Sequence, residues 1–205
     1  MKKFFKVAML VITLCVGTTI VSAQTYGLTE KEIKTNKKTA EKQAKSTAKQ
    51  LKKEKWVYPG AGSLVTELVN YLMATEFSNG KRVGVPETIE HAPSIRRGES
   101  EARSAAENDF VREIQIAIKG EIAELSGNAT GDYVETQVDK WSKIVAQELN
   151  GDIKRHFYIY KENPDHSYKV RVYFSRPEVS GNSAFKNQLK NNMDFVNDIK
   201  KSMGE

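Results

Sequence analysis

The hydrophobic period of this chain changes twice along its C-terminal half, and that change limits the folds open to it. From about Gly98, apolar residues recur every three or four positions: Ala102, Ala106, Phe110, Ile114, Ala117/Ile118, Ile122 and Leu125. That spacing lines one side of an α-helix. From Ile153 to Glu162, and again from Ser167 to Ser175, the period falls to two. A period of two belongs to strands. Asn163-Pro164-Asp165-His166 lies between them and reads as a turn, so the pair is expected to form a hairpin. The helical period returns from about Ser183 to Met203, in Phe185, Leu189, Met193, Val196, Ile199 and Met203.

The N-terminal half supplies the remaining elements. Thr29-Glu30-Lys31-Glu32 is a capping box that should open a helix running to about Lys55. Its only apolar line is Ala40, Ala44, Ala48 and Leu51, a stripe so thin that most of the helix is expected to be solvated. Trp56-Val57-Tyr58-Pro59-Gly60 breaks it. Ser63 is expected to cap a second helix to about Phe77, with Leu64, Leu68, Leu72, Val65, Val69 and Tyr71 turned inward. Asn79-Gly80 reads as a turn. Arg82 to His91 reads as a strand, and Pro86 within it predicts an edge or a bulge. A further helix is expected after Asp132 and Glu135, burying Val134, Val138, Trp141, Val145 and Leu149.

This order predicts an α+β fold: a small, largely antiparallel sheet of one strand plus the hairpin, with helices laid on one face. The expected divisions are a signal over 1–23, a Lys-rich helical segment over 24–58, an α+β domain over 59–177 and an amphipathic helix over 178–205.

The first division rests on Met1-Lys2-Lys3-Phe4-Phe5-Lys6, an apolar run from Val7 to Val16, and Val21-Ser22-Ala23 before Gln24. Basic, apolar and small-residue parts in that order are expected of a cleavable export signal. The run is short for a membrane span, and Gly17-Thr18-Thr19 dilutes its end. Cys15 is the only cysteine, and Leu14 stands where lipidation needs a small residue. Cleavage after Ala23 would leave no thiol, hence no disulfide and no thiolate ligand.

Charge is unevenly placed. Leu28 to Lys55 holds ten lysines against four glutamates, a balance of +6. From Trp56 onward 19 Lys/Arg face 22 Asp/Glu, a balance of −3. A nucleic-acid binder would carry its positive charge on the folded domain, so that class is not expected. The lysine segment, Lys31 to Lys55, reads either as an electrostatic comb for anionic headgroups or polymers, making peripheral membrane contact, or as a solubilising spacer.

Three stretches together resemble a family. They are Ala40-Glu41-Lys42-Gln43-Ala44-Lys45 through Trp56 with Tyr58-Pro59-Gly60, the alanine-rich Glu101-Ala102-Arg103-Ser104-Ala105-Ala106 leading to Ile114, and the strands His156 to Tyr160 and Tyr168 to Phe174. This order is similar to the lipoprotein-20-like envelope proteins of Gram-negative bacteria, and more distantly to the N-terminal domain of a flagellar assembly protein. The likeness spans roughly Lys37 to Ser175. It implies an exported α+β domain of non-enzymatic role.

Reactive motifs are scarce. His91, His156 and His166 have no metal-ligand spacing, and Asp165-His166 sits at a turn where neighbouring side chains seldom couple. No nucleophile elbow and no phosphate-cradling glycine pattern occurs. Glu99/Glu101, Glu121/Glu124 and Asp132/Glu135 fall where capping and solubility explain them. The richest candidate surface is the hairpin. By strict alternation Ile153, Phe157, Ile159, Val170, Val172 and Phe174 face a core, leaving His156, Tyr158, Tyr160, Lys169, Arg171 and Tyr173 opposite. That second set would suit a glycan, peptide or anionic polymer through stacking and charge; otherwise a helix covers it, and the C-terminal helix is the expected cover. The expectation overall is an exported, non-enzymatic accessory protein of the periplasm or outer membrane. It would bind an envelope protein or anionic envelope polymer and need no metal or cofactor. The rival expectation is a periplasmic hydrolase acting on cell-wall material.

Overall fold

The computed structural model describes residues 27–79, 81–126, 135, 136, 138, 139 and 153–179. Within them run α1 (Glu30–Lys53), α2 (Leu64–Ala74), β1 (Arg82–Ala92), α3 (Ile95–Ser126), β2 (Lys154–Glu162) and β3 (Tyr168–Pro177). The export signal, the expected C-terminal helix, and most of the helix expected after Asp132 lie outside the described residues.

The fold is α+β, as the changing period predicts. The strands form an antiparallel sheet in the order β1-β3-β2, so the last of the three described strands takes the centre. Pro86 is in register with Tyr173 on β1, an edge strand, where a residue without an N–H breaks no second ladder. On the other edge Val57 adds one bridge to β2: its N–H donates to the Tyr160 carbonyl at 2.7 Å and its carbonyl accepts from Tyr160 N–H at 3.0 Å.

Local chemistry explains the helix ends. The Thr29 hydroxyl accepts from the Glu32 N–H at 3.3 Å, and Glu32 Oε2 accepts from the Thr29 N–H at 2.8 Å. Glu30 and Glu32 in the first turn and Lys52 and Lys53 in the last suit the helix dipole. After α2, the buried Ser78 hydroxyl donates to the Thr75 carbonyl and accepts from the Arg82 N–H, turning the chain into β1. On α3, Ala102, Ala106, Phe110, Ile114 and Ile118 are all buried, as their spacing predicts. Phe110, Ile114 and Ile118 alone are worth about 5–9 kcal/mol of gross burial. A Cβ on Gly98 would stand 2.6 Å from Val170 Cγ2, so glycine there lets the start of α3 touch the central strand. Val138 joins the same cluster, and Gln115 Nε2 donates to Asp139 Oδ1 at 3.1 Å.

Two expectations are corrected. Helices cover both faces of the sheet, not one. On one face α3 packs with Val85, Ile89, Val170, Val172 and Phe174; on the other, α2 packs with Phe157, Ile159 and Tyr173. The second correction concerns α1. Ala40 and Ala44 are fully buried and Leu51 nearly so, in one cluster with Leu68, Tyr71 and Leu72 of α2. The stripe is thin, but alanines allow close helix approach, and Leu51 with the two alanines amounts to about 4 kcal/mol of gross burial. The helix is therefore docked rather than free, with its remaining sides in water.

Candidate functional site

The six hairpin residues do not share a face. β2 carries a bulge: Arg155 is in register with Phe174 and Phe157 with Tyr173, so His156 and Phe157 together oppose one residue of β3. An extra residue reverses the parity of everything beyond it. Phe157 and Ile159 therefore go with Tyr173 to the α2 face, while Tyr158 and Tyr160 join Val170 and Val172 beneath α3. Ile153, grouped by alternation with Phe157, belongs to the α3 cluster. Tyr158 and Tyr160 are thus separated from His156 and Tyr173 by the sheet itself. The α2 face is covered, as one of the two readings held, but the cover is α2 itself.

On that face aromatic rings interlock. Phe157 and Tyr173 stack at 4.3 Å between centroids, and Tyr71 of α2 meets Tyr173 edge-on at 5.2 Å and His156 at 5.4 Å. Burial pushes the Tyr71 and Tyr173 hydroxyls to higher pKa. Gly84 makes room for Tyr71, whose Oη would lie 2.2 Å from a Cβ there. Lys169 pairs with Glu90 at 2.5 Å, and Arg171 Nε donates to the Thr88 hydroxyl at 2.9 Å. The Arg171 guanidinium lies 4.8 Å from the Trp56 ring centre, and Lys161 Nζ lies 4.9 Å from it. Trp56 Nε1 donates to Glu54 at 3.1 Å. These cations are engaged within the fold. Sequence reasoning placed Trp56 only as a helix breaker, since the two cations over its ring are more than a hundred residues away.

The nearest approach to a catalytic arrangement among the described residues is a chain from Arg82 through Ser175 to His156. Arg82 Nε donates to Ser175 Oγ at 3.2 Å, and His156 Nε2 lies 2.8 Å from the same oxygen. The hydroxyl accepts from Arg82 and shares a second hydrogen bond with His156, whose tautomer sets its direction. Burial, with Arg82 and Lys154 adding positive potential, pushes the His156 pKa down to about 4. Ser175 is fully buried, so its hydroxyl meets no substrate. At the hairpin turn, His91 Nδ1 is 3.4 Å from Asp165 and 3.3 Å from Ser167 Oγ. Both approach one ring nitrogen, whereas a serine triad needs opposite nitrogens. Ser167 Oγ donates to Asp165 at 2.6 Å, so the cluster fastens the turn to the end of β1. Asp165 pairs with His91 rather than its neighbour His166, which faces Glu162 at 3.0 Å.

The outer side of α1 is a different kind of surface. Lys31, Lys34, Lys37, Lys38, Lys42, Lys45, Lys49, Lys52 and Lys53 are all exposed, as is Lys55 beyond its end. Seven of them, Lys31-Lys34-Lys38-Lys42-Lys45-Lys49-Lys52, follow at intervals of 3, 4, 4, 3, 4 and 3 on the side opposite Ala40 and Ala44. Like charges so spaced destabilise a helix by about 0.2–0.5 kcal/mol per pair, or about 1–3 kcal/mol for the row. On α3, by contrast, Arg97 pairs with Glu101 at 2.7 Å and Arg103 with Glu107 at 2.8 Å, each four residues apart. The docked alanine stripe carries the unfavourable row.

The described residues thus define a small α+β protein with a sheet covered on both faces and a lysine-bearing helix held outside them. No family model, curated protein or solved structure matches the chain.

Proposed function

We propose that this chain is an exported, non-enzymatic accessory protein of the cell envelope, in the periplasm or associated with the outer membrane. It binds an anionic envelope partner through α1. The single observation carrying this reading is the burial of Ala40, Ala44 and Leu51, which holds the lysine side of α1 outward. A spacer needs neither a fixed orientation nor an unpaired row of like charge. The export part rests on Lys2 to Ala23 as a signal. Against a serine–histidine hydrolase stand the burial of Ser175 and the engagement of His156 and His91 within the fold.

The test has two arms. Intact mass of the protein from its native host is expected to begin at Gln24; an uncleaved chain in the cytoplasm, or a diacylglyceryl group on Cys15, overturns the proposed processing. The recovered protein is expected to sediment with isolated envelope material at low salt and to be released at high salt. Salt-independent sedimentation, or none, overturns the electrostatic role.

A further inference from the structure

We infer that the lysine row of α1 is a binding site for a linear polyanion, a polymer with a phosphate or carboxylate on each repeat. This rests on the binding role proposed above and names its ligand class.

Geometry favours a line of charge over a plane. The row spans 22 residues from Lys31 to Lys52, about 32 Å along the axis, with one ammonium for each 4.5–6 Å of rise, roughly. One flank is uncharged: Thr35, Thr39, Gln43, Ser46 and Gln50 run parallel to it at intervals of 4, 4, 3 and 4, all exposed. Two of those hydroxyls turn back to the helix, Thr35 to the Lys31 carbonyl at 2.8 Å and Thr39 to the Thr35 carbonyl at 3.1 Å. No described acid lies within salt-bridge distance of any lysine in the row. Among the described residues nothing neutralises the positive line along its length.

A helix that binds a membrane from within its interface buries an apolar side in lipid. Here that side is spent on α2, and the outward side carries no aromatic or large aliphatic residue. The row also holds no arginine. Lysine is a compact point charge without the paired geometry of a guanidinium, so recognition reads the spacing of charge and not the orientation of each anion. A chain of anions laid along the helix meets every lysine in turn; a small anion meets one or two.

The experiment measures binding of the protein recovered from its host to inorganic polyphosphate, long enough to span the row, and to tripolyphosphate. Vesicles containing phosphatidylglycerol form a third arm. Long polyphosphate is expected to bind more than about tenfold tighter than tripolyphosphate, with strong salt dependence. Replacing Lys42, Lys45 and Lys49 by Gln is expected to lower the slope of log affinity against log salt by about 2. Replacing Arg96, Arg112 and Lys119 of α3 by Gln removes the same charge and is expected to leave that slope within about 0.5 of wild type. Glutamine keeps helix propensity, and circular dichroism checks that each variant folds. Equal losses in the two variants, equal affinity for the long and short chains, or tighter binding to vesicles than to polyphosphate each overturn the inference. Salt-sensitive sedimentation with envelope material, without polyphosphate binding, overturns this inference and leaves the broader role standing; loss of both overturns both.

Discussion

His156 should make this protein acid-sensitive in a way that one substitution can isolate. Its ring is packed edge-on against Tyr71 and hydrogen-bonded to the Ser175 hydroxyl, and burial beside Arg82 and Lys154 pushes its pKa down to about 4. An unfolded histidine titrates near 6.5. The folded pKa is the lower of the two, so as pH falls the unfolded chain takes up the proton first. Stability is therefore complete above about 6.5 and declines as the pH falls toward about 4. The whole difference corresponds to about 3 kcal/mol; the ring is partly exposed and water screens it, so about 2 kcal/mol is expected. Urea unfolding of wild type and His156→Gln at about pH 7 and about pH 4 measures it. Carboxylates such as Glu32 and Asp165, also shifted, titrate in both proteins and cancel in the comparison. The substitution is expected to reduce the acid-induced loss by about 2 kcal/mol. Equal losses in the two proteins would refute the reasoning, because His156 would then not be held neutral by the fold.

Three further predictions follow from packing. Leu51→Ala is expected to cost about 2–4 kcal/mol in thermal or urea unfolding; an unchanged midpoint would return α1 to a free spacer. Gly84→Ala should lower stability by about 1–3 kcal/mol because its Cβ meets the buried Tyr71 ring, whereas Gly120→Ala, with nothing within 4 Å, should raise it by about 0.8–1 kcal/mol. The half-exposed Glu113 holds the buried Arg176 guanidinium, with Arg176 Nη1 to Oε2 at 2.5 Å. Glu113→Gln is expected to cost about 1–2 kcal/mol, less than a fully buried pair would lose, and the same unfolding series reads it.

Much of this fold is written locally. The capping box at Thr29, the break after Lys55 and the turn at Asn163 each follow from residues within a few places of one another. Each is a matter of backbone hydrogen bonding or dihedral preference that a short peptide already holds. The inward stripe of α3 is legible for the same reason, since Ala102 to Ile118 repeat at the pitch of the helix that carries them. The positive charge of α1 was legible too, though not whether the helix was fastened to anything.

The candidate surface on the hairpin was not legible. Alternation assigned Tyr158 and Tyr160 to the same face as His156 and Tyr173, and one extra residue at His156 undid it. Nothing in the sequence of β2 marks that bulge. It is visible only in the pairing with β3, where Phe157 stacks on Tyr173 while Arg155 opposite Phe174 turns to the ion pair with Glu99 on α3. Likewise, four residues of α1 could not reveal that α2 would receive them, because docking depends on shapes brought together from elsewhere. The sequence alone determined the elements, their ends and the one-sided charge of α1, since these depend on neighbours along the chain. Tertiary structure alone decided which faces meet, since that depends on neighbours in space, and a slip of one residue exchanges one face for the other.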